Sequence, residues 1–188
     1  MASQTTIFNR FKKIMQQVQS HTGECAESVA DFDQCRTIPE LVQVWKKYWG
    51  NLIDEAPAEL IAALDAHYKN YAEEINKAGV WYNELAPRGM CVIGNMPYTI
   101  QDQPLIANSS INPMRVYVLG AANVQIHGIT QAYVNNPAAI IELFDRTSAT
   151  VRNCAHATAH NQSRITISDP SKATILDAAK LYAPSNLK

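Results

Sequence analysis

Two spacings of apolar residues divide the chain. Up to about residue 79 they recur three and four positions apart. In TTIFNRFKKIMQQVQSH, Ile7, Phe8, Phe11, Ile14, Met15 and Val18 share one helical face, and Arg10, Lys12, Lys13, Gln16 and Gln17 take the other. This predicts an amphipathic helix with Thr5 or Thr6 near its start. TIPELVQVWKKYWGNL predicts a second helix. Thr37 and Glu40 have capping-box spacing, Pro39 fits a first turn, and Leu41, Val44, Trp45, Tyr48 and Trp49 form a stripe that Gly50 is expected to stop. A third is predicted in PAELIAALDAHYKNYAEEINKAG, opened by Pro57, ended by Gly79 and buried through Leu60, Ile61, Leu64, Tyr68, Tyr71 and Ile75. Three such helices can pack as a small bundle.

Beyond these helices the spacing changes to eight. From Pro113 the chain divides into PMRVYVLG, AANVQIHG, ITQAYVNN and PAAIIELF; Asp145 is read as one extra residue, and RTSATVRN, CAHATAHN, QSRITISD and PSKATILD follow. Columns two, four and six alternate, so they share one face of a strand. Column two is small, columns four and six are mostly aliphatic, and columns three, five and seven are mainly polar. Column eight is Gly, Asn or Asp except at Phe144, and these residues tolerate left-handed backbone at a corner. A strand and a corner repeated in register predict a β-solenoid rather than a sandwich. PAAIIELF is the irregular unit: this frame puts Glu142 inward and Phe144 at a corner, and predicts a bulge or loop near residues 136–146. Residues 89–112 read as irregular first coils, and AAKLYAPSNLK as a short helical cap and tail. The fold class expected is α+β: a helical domain over residues 1–88 and an octad solenoid over residues 89–188.

The octads ATVRN, ATAHN and ITISD resemble repeats found in proteins of Bacteroidetes-type bacteria and their phages and mobile elements, where helices often precede octads of the type A-x-V-x-A-x-G-N. The resemblance covers residues 113–177 best and departs at Glu142 and Phe144. It implies no catalytic residues. It does imply a setting in which small accessory proteins block host defences.

Composition narrows the function classes. Hydrophobic residues are 47% and charged residues 18%, a globular balance. Net charge is -1, divided as -3 over residues 1–88 and +2 over residues 89–188, so no strong overall field draws the chain to nucleic acid. Cys25, Cys35, Cys91 and Cys154 show no metal-knuckle or redox spacing. The N-terminus lacks a signal-peptide core, and no segment is apolar enough for a membrane helix. These features predict reduced thiols and a cytoplasmic location, that of the host cell if the chain is phage-encoded.

No P-loop, nucleotide-binding glycine fingerprint or nucleophile elbow is present. His156 and His160 occupy outward columns three and seven, too far apart along a strand to share a metal. Thr150, Thr158, Thr166 and Thr174 are outward strand formers. Glu142 and Asp145 are the one close carboxylate pair in the octads, with Arg146 beside them. No cofactor is expected. Outward Arg115, Arg152, Arg164 and Lys172 make a mildly basic stripe. Trp45, Lys46, Lys47 and Trp49 read first as core with two outward lysines, and second as a partner surface. The function expected is a non-enzymatic protein-binding module, in its sharpest form an anti-CRISPR-like inhibitor that covers a host nuclease or nucleoprotein complex. The candidate contacts are Trp45, Lys46, Lys47, Trp49, Tyr117, Tyr133, Glu142, Asp145, Arg146, Arg152 and Arg164. The alternative is a structural or carbohydrate-binding module of a virion or cell surface, with Tyr117 and Tyr133 stacking on sugars.

Overall fold

A computed structural model describes residues 4–20, 26–84, 89–96, 105–109 and 114–182. Cys25, Asp102 and the tail from residue 183 lie outside the described residues. The chain divides into two compact units, residues 1–80 and 81–188, so the helical part ends before residue 88.

Five helices make up the described part of the first unit: α1 Gln4–Ser20, α2 Ala26–Gln34, α3 Ile38–Lys47, α4 Trp49–Glu55 and α5 Pro57–Lys77. The N-terminus of α3 is a complete capping box. Thr37 Oγ1 accepts the Glu40 N–H at 3.4 Å, and the Glu40 carboxylate accepts the Thr37 N–H at 3.1 Å and the Arg36 N–H at 2.7 Å. Those bonds, led by the one from Arg36, hold Glu40 below the usual carboxylate pKa. Thr37→Ala is expected to lower stability by about 1 kcal/mol, read as a lower urea midpoint at an unchanged slope.

Gly50 does not stop this helix. The chain breaks at Tyr48 and resumes as α4 with Gly50 inside it, because the apolar stripe continues through buried Trp49, Leu52 and Ile53. Burial of those side chains outweighs the roughly 1 kcal/mol that glycine costs a helix. The sequence pattern does not reveal α2, AESVADFDQ, because its buried residues are only Ser28 and Phe32, too few to mark a helical stripe. Gly79 does end the helical run, in left-handed backbone at φ 81°. The core joins Met15, Leu41, Trp45, Leu52, Leu60 and Ile75, each no more than 3% exposed.

From the unit boundary onward the strands are β1 Val80–Tyr82, β2 Met90–Ile93, β3 Leu105–Ser109, β4 Arg115–Val118, β5 Asn123–Gly128, β6 Gln131–Asn135, β7 Ile140–Leu143, β8 Ser148–Asn153, β9 His156–Ala159, β10 Arg164–Ile167, β11 Ala173–Ile175 and β12 Lys180–Tyr182. They form a long sheet ordered β1-β2-β4-β6-β8-β10-β12 and a short sheet ordered β11-β9-β7-β5-β3. Successive octads therefore alternate between sheets, and two octads make one coil. Strands of adjacent coils pair in parallel, as β4 does with β6 and β5 with β7. The repeat produces this because columns four and six of both sheets meet in one narrow core. Val124, Ile126, Val134, Val151, Ala157 and Ile165 are fully buried there.

The frame of the irregular unit needs correction. β7 aligns Ile141 with Val124 and Leu143 with Ile126, and both Ile141 and Leu143 are fully buried. Glu142 faces outward and accepts a hydrogen bond from the Gln125 amide at 2.9 Å. The extra residue enters before β7, not after Phe144: the β6–β8 register shifts between Val134 and Asn135. Asn136 closes the turn there, its Oδ1 accepting the Ala138 N–H at 2.9 Å and its Nδ2 donating to the Leu119 carbonyl at 3.0 Å. A one-residue slip exchanges the two faces of a strand, and an unpaired inward carboxylate is costly, so burial of Ile141 and Leu143 sets the register.

The corners differ between sheets. Gly128, Asp145, Asn161 and Asp177, each closing a short-sheet octad, have φ of 73°, 58°, 57° and 55°. Asp145 accepts the Gly128 N–H at 2.9 Å, and Asp177 accepts the Asn161 N–H at 3.2 Å, so these corners are tied from coil to coil. The left-handed corner expected in every octad thus occurs in every second one. The expected helical cap is also corrected: residues 180–182 form β12, which pairs with β10 in the register Arg164↔Lys180, Ile165↔Leu181 and Thr166↔Tyr182. The octad frame simply continues, with AAKLY taking the first five columns. No described helix is long and apolar enough to cross a membrane.

Candidate functional site

The helical candidates are committed internally. Trp45 and Trp49 are 3% and 4% exposed and meet edge to face, with ring centroids 5.7 Å apart. As partner contacts they are corrected to core: four-residue spacing puts both on the buried face of the α3–α4 stripe. Lys46 Nζ donates to the Ala78 carbonyl at 3.1 Å, near the end of α5. Lys47 bridges Asp31 at 2.7 Å and Glu27 at 2.8 Å, tying α3 to α2. Those two carboxylates, Asp31 first, raise the Lys47 pKa; Lys47, followed by Tyr48, lowers that of Asp31.

The solenoid candidates separate onto three surfaces. On the short sheet, Glu142 is bound to Gln125. Two columns further, the Phe144 ring lies flat between His127 and His160, with centroids at 4.4 and 4.5 Å and interplanar angles of 3° and 5°. Asp145 belongs to the corner that follows and stands 3.8 Å from His127 Nδ1. Glu142, Asp145 and Arg146 therefore form no joint site: they sit on a sheet face, at a corner and at the start of the next sheet. His156 lies apart from the ring stack, its Nε2 3.1 Å from Thr174 Oγ1.

The outer face of the long sheet is different. Its strands β4, β6, β8, β10 and β12 read RVYV, QAYVN, SATVRN, RITI and KLY, with four cations and no Asp or Glu. Tyr117 and Tyr133 are register neighbours there, half-buried, with centroids 6.2 Å apart and rings tilted by 45°. Burial raises the Tyr117 pKa, with Arg115 beside it pulling the other way. Arg152 is half-buried at the far end of β8. At the first corner of this sheet, Arg146, Ser148, Gln162, Arg164, Ala178 and Lys180 line a groove of about 560 Å³.

No family model, curated protein or solved structure matches the chain. Its chemistry must be read from these surfaces alone. Among the described residues no group of three His, Cys, Asp or Glu is placed to hold a metal. Of the sequence candidates, the structure brings Arg146 and Arg164 together and places Arg115, Tyr117 and Tyr133 in one patch. Lys180 is not among the sequence candidates, because a helical reading of its segment hides its place in β12. Continuing the octads one unit past Asp177 places it in column three, in line with Arg164.

Proposed function

We propose that this chain is a non-enzymatic binding module that presents the long sheet of its solenoid to an acidic protein surface. The observation that carries this reading is the sign of that face: Arg115, Arg152, Arg164 and Lys180 project from strands that contain no carboxylate, although the whole chain is slightly acidic. Tyr117 and Tyr133 add rigid amphipathic area beside Arg115, and Tyr and Arg are residue types that dominate interface energies. A stack of hydrogen-bonded coils holds these groups at fixed spacing, so little ordering entropy is lost on docking.

In its sharpest form the partner is a bacterial defence nuclease, and the module inhibits it by covering its surface. Support for that form comes from the octad resemblance and from a basic face suited to acidic patches. The test adds the purified chain to a CRISPR effector nuclease and measures cleavage of target DNA. Stoichiometric inhibition is expected, weakening with salt. Arg115 and its register neighbour Gln131 are both exposed, so Arg115→Glu with Gln131→Glu reverses the local charge without touching the core. That pair is expected to weaken inhibition about tenfold or more. Full cleavage at excess chain, together with no stoichiometric protein partner at low salt, would overturn the proposal.

A further inference from the structure

The groove at the first corner of the long sheet has features that a protein-docking face does not require. Arg146 precedes β8, Arg164 opens β10 and Lys180 opens β12, and all three line one concavity of about 560 Å³ together with Ser148 and Gln162. Among the described residues no carboxylate lines it. None of the three cations makes an ion pair among the described residues. The nearby acids are turned to other work: Asp145 accepts the Gly128 N–H and Asp177 the Asn161 N–H.

A second observation is independent of the concavity. Arg164 and Lys180 are direct register partners on adjacent parallel strands, as are Ser148 and Arg164. Neighbouring strands lie about 4.8 Å apart, so two like charges stand side by side, at a Coulombic cost that an anion between them removes. Elsewhere the outward columns avoid this: Arg115 is registered with Gln131, and Glu142 with Gln125 and Thr158.

We propose that this groove is a binding site for a small phosphate-bearing ligand, held by Arg146, Arg164 and Lys180. Two guanidinium forks and an ammonium present more positive charge than a single carboxylate balances. They match a phosphomonoester, which carries nearly two negative charges and three acceptor oxygens. The Ser148 hydroxyl and Gln162 amide supply neutral donors at the same wall. A groove of this volume falls in the range of small-molecule sites. The inference shares Arg164 and Lys180 with the protein-binding reading but has a separate test, since that reading is tested at Arg115 and Gln131.

Inorganic pyrophosphate is the first probe, titrated into the full chain by calorimetry, with amide resonances followed by NMR. Saturable binding is expected, with shifts concentrated at residues 146–148, 162–164 and 178–180. Arg164→Gln with Lys180→Gln, both at exposed positions, is expected to weaken binding by about tenfold or more. The unliganded melting temperature should be unchanged or higher, since the like-charge contact is gone. Arg115→Glu should bind pyrophosphate as the wild type does. A second arm compares an oligothymidylate with and without a 5′-phosphate; dependence on the terminal phosphate supports the proposal. Four outcomes overturn it: no binding at millimolar pyrophosphate, equal binding of acetate, binding untouched by the double variant, or affinity that grows with oligonucleotide length regardless of the terminal phosphate. The last would assign the groove to a nucleic-acid backbone.

Discussion

Gly120→Ala is expected to cost the solenoid roughly 3 kcal/mol or more, because the new methyl group has nowhere to go. A Cβ on Gly120 would overlap the carbonyl carbon and oxygen of Gly94 and the backbone nitrogen of Asn95. Main chain of an adjacent coil cannot rotate aside as a flexible side chain can. Its position is also fixed by bonds on both sides of the contact. The N–H groups of Leu119 and Gly120 donate to the Ile93 carbonyl at 2.9 and 3.1 Å, and the Asn95 side chain accepts the Ala121 N–H at 3.0 Å. Relief therefore requires the first described coils to separate. Urea unfolding followed by strand circular dichroism measures the loss. Gly50→Ala serves as the contrast: a Cβ there meets nothing within 4 Å, and stability should rise by about 1 kcal/mol. Equal effects at the two glycines would refute the close approach of the coils.

The second large effect separates two neighbouring residues. Leu143→Ala should destabilise by about 3 kcal/mol, since it empties a fully buried position in a narrow core with little freedom to collapse. Glu142→Ala should change stability by no more than about 0.5 kcal/mol, because it removes one outward hydrogen bond to Gln125. The order of these two losses reports the register of β7 directly. Were Glu142 the costlier loss, the strand would be facing the other way.

That pair also shows where sequence reasoning met its limit. Column chemistry is enough to establish the solenoid, since aliphatic residues at columns four and six have one economical arrangement. It does not locate a single inserted residue, because PAAIIELF offers apolar side chains in both phases and only the neighbouring coil chooses between them. Ile141 and Leu143 complete the column of Val124 and Ile126; Ile140 would not. The same reasoning in the other direction would have found β12, where Leu181 continues the column of Ile165. In the helical unit, α3 is legible through its capping box and stripe and α5 through its opening proline and stripe, whereas α2 contributes too small a buried face to show a period. The candidate groove was half visible. Arg146 and Arg164 are separated by 18 positions and meet only because a coil contains two octads, a number that periodicity of eight leaves open.

The alternation of corners has a consequence for how such a chain can change length. Left-handed backbone recurs from Asp145 to Asn161 and from Asn161 to Asp177, 16 residues each time, and from Gly128 to Asp145 after 17. Loss or duplication of one octad would deliver a long-sheet strand to the short sheet and ask Asn153 or Asp169 to serve at a corner of the other kind. Loss or duplication of two octads leaves every side chain on its own face. The heritable module of this architecture is therefore the whole coil, and the eight-residue period seen in the letters is half of it. The 17-residue coil carries one residue more than the coils that follow it, taken up at the Asn136 turn where the β6–β8 register shifts.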